Sequence, residues 1–158
     1  MTTRSRTAKR IALASGVAFL TTFAISANAH QGATGVVKER METMKGMADA
    51  MKALAPMIKG EQAWDAGSVR DIARTLSEHA GKIPQQFPQG SSGHPSEARE
   101  KIWTDWKDFT SNAGDLEKAA KLLGEKSGSG ADGAKPAFAR IVGACKSCHQ
   151  DFREKKEQ

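Results

Sequence analysis

The chain of 158 residues has no tyrosine, only two cysteines, and an aromatic content of just 6%. It also has no runs of alternating valine, isoleucine and threonine, which are typical of β-strands. Between the breaks in the chain, alanine, lysine, glutamate, methionine and leucine predominate, and these residues favour helices. The composition therefore predicts an all-α protein and argues against any architecture built on a β-sheet.

A single long apolar run lies near the N-terminus. Residues 11–26, IALASGVAFLTTFAIS, follow a segment with four basic residues and precede Ala27-Asn28-Ala29. A basic region, an apolar run and a small-residue cleavage site are the three parts of a secretory signal. A transmembrane anchor is the alternative, but a span needs about 20 mainly apolar residues. We therefore expect residues 1–29 to be a cleaved signal peptide, residues 30–158 to be the mature domain, and the protein to be periplasmic.

Most of the positive charge belongs to that leading segment. The whole chain has 24 basic and 18 acidic residues, a net charge of +6, and residues 1–29 contain four basic and no acidic residues. The mature domain therefore has a net charge of only +2. Such a balance argues against nucleic acid as a partner, and no cluster of lysines indicates a membrane surface.

Three breaks divide the mature chain into four helical pieces: KGEQAWDAGS near residue 60, PQQFPQGSSGHPS at 84–96, and KSGSGADG at 126–133. Each piece has one narrow apolar stripe with heptad spacing. In the first piece the stripe is Val37, Arg40, Met44, Met47, Met51, Leu54 and Ile58. Four such helices predict an antiparallel up-down-up-down four-helix bundle.

Both cysteines belong to one motif in the last helical piece, where Cys145, Cys148 and His149 form Cys-x-x-Cys-His. This spacing predicts covalent attachment of haem by the two thiols, with the histidine as an iron ligand. A thioredoxin-like site would follow a strand, a disulfide between cysteines three apart on a helix would have poor geometry, and zinc would need further ligands with paired spacing. We therefore expect one covalently bound haem c per chain.

Four segments of the sequence are similar to the class II cytochromes c, the cytochrome c prime family: CKSCHQDFR at 145–153, VVKERMETMKGM at 36–47, GEQAWD at 60–65 and KIWTDWKDF at 101–109. The resemblance extends over residues 33–156 and implies an exported four-helix bundle with haem attached near the C-terminus. In the high-spin branch of this family, the position four residues after the helix-one arginine is usually apolar. Met44 occupies it here, which resembles the low-spin branch, the cytochrome c-556 type, in which methionine is the sixth ligand.

The predicted topology leads to the same methionine independently. The start of the first helix should face the end of the fourth, so the partner of His149 should lie one to three turns into the first helix. Met41 and Met44 both satisfy this condition, but Met41 lies beside the apolar stripe and is expected to point away from the interior. Met47 and Met51 are interpreted as core residues, the commoner role of methionine. His79 in the second helix is the rival ligand.

Two arginines are candidate cofactor-binding residues. Arg40 lies on the apolar stripe one turn before Met44, where a guanidinium is costly unless an anion meets it, and a haem propionate would do so. The resemblance implies that Arg153, four residues after His149, lies near the proximal face of that histidine or near a propionate. The alternative for Arg153 is a solvated helix end favoured by the helix dipole.

The function predicted from these ligands is electron transfer. If His149 and Met44 both bind iron, no coordination position is open to a substrate, so we expect no catalytic residues and no enzyme activity. The alternative is a five-coordinate haem protein that binds nitric oxide or carbon monoxide, with Met44 as part of the wall. The expected partners are unidentified periplasmic redox proteins, and the sequence leaves a homodimer open. Nucleic acid and a membrane span in the mature protein are not expected.

Overall fold

The computed structural model describes residues 33–155, so the predicted signal peptide and the new N-terminus at His30 lie outside the described residues. These residues contain five α-helices: α1 (Gly35–Lys59), α2 (Ala66–Lys82), α3 (Lys101–Thr104), α4 (Trp106–Glu125) and α5 (Gly130–Phe152). Two 3₁₀ turns lie at Ile83–Gln86 and Ser127–Ser129. Within residues 33–155 there is no β-strand, only an isolated bridge between Ala98 and Arg153. The all-α prediction is confirmed.

The four long helices α1, α2, α4 and α5 form the predicted bundle. Helix α4 packs extensively against both α2 and α5, and α1 packs mainly against α2. The contact between α1 and α5 is much smaller, so these two helices are separated over part of their length. None of the helices within residues 33–155 has the length and hydropathy needed to cross a membrane.

One predicted helix is interrupted in the structure. The sequence indicates a continuous apolar stripe from Ile102 to Leu123, but the backbone of Asp105 leaves the helical region, with φ −114° and ψ 43°. The single turn α3 therefore ends there, and α4 begins at Trp106. Asp105 accepts hydrogen bonds from the backbone amides of Asp108 and Phe109 through its own carbonyl, which starts the new helix.

The core follows the heptad stripes read from the sequence. The largest side chains with less than 2% exposure are Leu54, Val69, Leu76, Ile102, Phe109, Leu123 and Ile141. Phe109 packs edge-on against two other rings, with its centroid 4.8 Å from that of Phe87 and 5.4 Å from that of Phe152. These three rings join α4, α5 and the connection before α3 at one end of the bundle, where aromatic pairs add to the stability gained by burial.

Candidate functional site

The gap between α1 and α5 is a cavity of about 1030 Å³. Its walls come from residues 40–51 of α1, 109–116 of α4 and 142–153 at the end of α5, and from residues 86–99, the connection before α3, which we call the strap. Phe87, Phe109 and Phe152 also line it. The cavity lies where antiparallel packing brings the start of α1 opposite the end of α5, as the bundle topology predicts.

On the α5 wall, the cavity brings together all three members of the Cys-x-x-Cys-His motif. Cys145 and Cys148 are half-buried, unpaired thiols, and His149 reaches the cavity while remaining open to solvent. Burial raises the pKa of Cys145, and burial together with the neighbouring Cys145 and Asp151 raises the pKa of Cys148 to about 11. Both sulfurs are therefore protonated thiols at neutral pH rather than thiolates.

The imidazole of His149 is biased toward its neutral form. Partial burial lowers its pKa, the Arg153 cation lowers it further, and the Glu97 carboxylate opposes both effects. A neutral imidazole has a free lone pair on one ring nitrogen, which is the form that binds a metal ion. Its place in the cavity lining, directly after the second thiol in the chain, suits it to bind a metal ion held there.

The α1 wall consists largely of methionines. Met41, Met44, Met47 and Met51 all line the cavity. The expectation that Met41 points away from the interior was wrong. Helix α1 contacts α5 only sparsely, so the face of α1 that lines the cavity is wider than a heptad stripe and includes Met41. Met47 is buried to 7% exposure, whereas Met41, Met44 and Met51 remain half-buried. Met44 is thus a half-buried residue of the cavity lining, on the helix across from the motif.

His79, the rival ligand, lies on the other side of α1. It lines a second cavity of about 370 Å³ together with Glu39, Glu42, Thr43, Lys82 and Gln86. A Cβ atom on residue 46 would lie only 3.0 Å from Nε2 of His79, so Gly46 is what allows α2 to approach the back of α1 here. Besides His149, His94 in the strap also lines the main cavity, and the sequence did not single it out.

Arg40 is buried at 5% exposure, and neutral oxygen atoms satisfy its guanidinium. It donates to the carbonyl of Gln86 from Nε and Nη2, at 3.2 and 2.9 Å, and to the carbonyl of Ser91 at 3.2 Å. Its other two bonds, both 2.7 Å, go to the hydroxyls of Ser91 and Ser96. The guanidinium carbon also lies 3.8 Å from the centre of the Phe87 ring.

An anion is not the only group that can stabilise a buried guanidinium. In this protein, neutral carbonyl and hydroxyl oxygens of the strap stabilise Arg40. Burial lowers the pKa of Arg40, but a guanidinium stays protonated at neutral pH. No ion pair among residues 33–155 includes it, so none of these residues neutralises its charge at the cavity wall. Contact with a propionate remains a prediction.

Arg153 lies at the end of α5 and is paired with the strap. Its Nε and Nη2 atoms lie 2.7 and 2.6 Å from Oε2 of Glu97. The backbone joins the same segments, since the amide of Arg99 donates to the carbonyl of Phe152 at 3.0 Å and the amide of Glu154 donates to the carbonyl of Glu97 at 2.8 Å. Arg153 is thus paired with the strap beside the cavity, and the helix end that it occupies is not free.

These residues fit a haem. The cavity is at the upper end of the volume usual for ligand and cofactor pockets. Apolar side chains dominate its walls, two thiols and an imidazole converge on one side, and a thioether and an unneutralised cation lie on the other. A haem is flat and largely apolar, with an iron atom at its centre and carboxylates at its edge. Apolar walls, ligands for the iron and a cation for a carboxylate are therefore the features that it needs.

Residues 35–153 match the family described as cytochrome c'. The chain belongs to the cytochrome c' family. Cytochrome c-556 of Agrobacterium fabrum is 35% identical over 124 residues, covering 78% of this chain and 84% of its own length. The solved structure of cytochrome c' from Rhodopseudomonas palustris superposes with a TM-score of 0.71 and 33% identity, over 79% of this chain and all of that one.

A nitric oxide complex of a mutant cytochrome c prime from Alcaligenes xylosoxidans has a TM-score of 0.70 and 26% identity, over 77% of this chain and 94% of that chain. Family membership establishes the cofactor, so this cytochrome carries one covalently attached haem c. The family match and the solved structures also confirm the predicted family and the predicted four-helix bundle.

Proposed function

We propose that this cytochrome is a periplasmic one-electron carrier whose haem is attached through Cys145 and Cys148 and ligated by His149 and Met44. The observation that carries the proposal is the place of Met44. Met44 lines the same cavity as the motif, from the helix across the cavity from α5. The bound haem supplies an iron centre that gains and loses one electron.

Each wall residue has a distinct role in this proposal. The thiols fix the haem to α5, and His149, in the last turn of that helix, follows them at the spacing needed to approach the iron. Met44 contributes a neutral thioether, which favours the reduced form and raises the potential relative to more basic ligands. Phe87, Phe109 and Phe152 exclude water from the interior end of the cavity.

A rigid frame supports electron transfer because little has to move when the charge changes. Arg40 ties α1 to the strap through five hydrogen bonds, and Arg153 with Glu97 ties α5 to the same strap. Both ligands then belong to helices that one segment holds together. With both axial positions filled there is no position for a substrate, which supports a carrier rather than an enzyme.

Optical spectra of the oxidised and reduced holoprotein test this proposal. Six-coordinate low-spin iron gives sharp bands in the reduced state and does not bind added carbon monoxide. We expect that result. A high-spin spectrum and rapid binding of carbon monoxide would overturn ligation by Met44.

A second candidate function is the binding of a diatomic gas by five-coordinate haem. The observation that favours it is the apolar character of the α1 wall, where Met41, Met47 and Met51 surround Met44 and could equally form a pocket without a ligand. A relative from Alcaligenes xylosoxidans has been solved as a nitric oxide complex. The same spectra decide between the two functions.

The cellular setting belongs to the same proposal. A periplasmic location follows from the predicted signal peptide, and small redox proteins of that compartment are the proposed partners. A homodimer is compatible with this role, because an electron carrier needs only one haem edge exposed. Fractionation of cells that express the full chain, followed by mass measurement of the mature protein, tests both the location and cleavage after Ala29.

A further inference from the structure

The strap ends in a short pairing with the last turn of α5. Two backbone hydrogen bonds join residues 97 and 99 to residues 154 and 152, around the isolated bridge between Ala98 and Arg153. The side chain of Glu97 adds the ion pair with Arg153, at 2.6 and 2.7 Å. Backbone and side chain therefore fix the carboxylate of Glu97 relative to the end of α5.

Arg153 in turn adjoins the axial histidine. Its backbone amide donates to the carbonyl of His149 at 3.3 Å, and the side chains of both residues line the cavity, as does that of Glu97. The cation of Arg153 and the carboxylate of Glu97 act on the imidazole in opposite directions. The three groups thus form a chain from the strap to the proposed axial ligand.

We propose that Glu97 is a positioning residue, which holds Arg153 beside His149 and offsets the arginine's charge at the proximal side of the haem. This inference rests on one part of the proposed function, that His149 binds the iron. It does not depend on Met44 or on the spin state.

The proposal has an electrostatic signature that a purely structural contact lacks. A cation near the iron disfavours the oxidised form, which has one more positive charge, and a carboxylate favours it. Removing only the carboxylate should therefore raise the midpoint potential, and removing only the cation should lower it. Removing both should leave the potential near its original value.

The test compares Glu97→Gln, Arg153→Gln and the double variant in the holoprotein, by redox titration. The side chains of Glu97 and Arg153 are 35% and 48% exposed, so water screens the pair. We expect each single variant to change the equilibrium constant for reduction about two- to fivefold, in opposite directions, which is the range that a partly exposed ion pair supports. Glu97→Ala removes the same charge and serves if the glutamine variant does not accumulate.

A matched control lies in the same pairing. Glu154 faces Arg99 at 3.9 Å, and its backbone amide bonds Glu97 regardless of its side chain. Glu154→Gln should leave the potential unchanged. The role of Glu97 would be overturned if the potentials of Glu97→Gln and Arg153→Gln changed in the same direction. It would also be overturned if they changed no more than the potential of Glu154→Gln. A parent that proves high-spin would refute ligation by Met44 while leaving this test intact.

Discussion

The two walls of the haem cavity are built in opposite ways. On the α5 wall, Cys145, Cys148 and His149 lie within five consecutive residues, and their chemistry is fixed by their spacing. On the α1 wall, four methionines of the same chemistry line the cavity, and only their positions along the helix and their burial distinguish them. In the proposed function, the α5 wall attaches the haem and the α1 wall sets the coordination and spin state of the iron. Substitutions on each wall can test this division.

The largest effect is expected on the α5 wall. Replacing Cys145 or Cys148 by Ala removes one of the two proposed covalent attachments and should leave a defective or unstable holoprotein, because a haem held there would fill much of the cavity between α1 and α5. Covalent haem is measured by mass spectrometry and by haem staining after denaturing electrophoresis. Ser147→Ala, at an exposed position between the two cysteines, is the control and should retain haem. A haem-free variant with the thermal stability of the parent would contradict this prediction.

On the α1 wall, Met44→Leu should retain haem but convert six-coordinate low-spin iron to largely five-coordinate high-spin iron. Leucine keeps the apolar volume and has no lone pair to donate. The potential should fall because the thioether no longer favours the reduced form. The reduced variant should also bind carbon monoxide that the parent excludes. Optical spectra with and without carbon monoxide, and a redox titration, measure these changes.

Met47→Leu is the matched control, three residues further along the same wall. Met47 is buried to 7% exposure, and the substitution nearly conserves volume, so it should cost less than about 1.5 kcal/mol and leave the spectrum unchanged. If Met44→Leu stays low-spin, another residue is the sixth ligand. His94 is then the residue to replace next, because it lines the main cavity and His79 does not.

The difference between the walls also explains how much could be predicted from the sequence. The apolar stripes predicted the bundle because heptad spacing can be seen within each helix. The Cys-x-x-Cys-His motif predicted haem attachment because its residues are neighbours in the sequence. The side of α1 that faces α5 depends on how the helices pack. Helix lengths alone place both Met44 and His79 at the expected level of the haem. They do not show that His79 packs against Gly46, on the side of α1 away from the main cavity.

The strap was the least predictable part. It has no periodicity, so nothing in its sequence indicates that Ser91 and Ser96 face Arg40 or that Glu97 pairs with Arg153. The break at Asp105 was missed for a related reason, since the apolar stripe continues across it. Composition alone identified the strap as a connection, and only tertiary contacts give it a role.

Arg40→Leu should have a smaller effect on the haem than Met44→Leu, but a larger effect on the strap. Loss of the cation should lower the midpoint potential and change its pH dependence, because a propionate would titrate nearer its free value. The carbonyl of Gln86 would lose both of its bonds from Arg40, and each buried acceptor left unpaired costs about 1–3 kcal/mol. Redox titrations at several pH values and thermal unfolding measure the two effects.

Arg40→Lys separates these contributions. Lysine keeps the charge but has three donor hydrogens where arginine has five. It should keep the potential close to that of the parent while still lowering the unfolding temperature. An unchanged potential and pH profile in Arg40→Leu would show that Arg40 serves only to anchor the strap.

The smallest effect is expected on the back of α1. His79→Ala and Gly46→Ala should both leave the spectrum unchanged, because these residues lie away from the main cavity. Alanine is about 1 kcal/mol better than glycine inside a helix, but its Cβ would lie 3.0 Å from Nε2 of His79 and displace the imidazole. Gly46→Ala should therefore stabilise the His79→Ala protein more than it stabilises the parent, a coupling that thermal unfolding of the four proteins measures. If the spectrum instead changed from low-spin to high-spin in His79→Ala, the sixth ligand would lie on α2. The haem would then face the His79 side of α1 rather than the Met44 side.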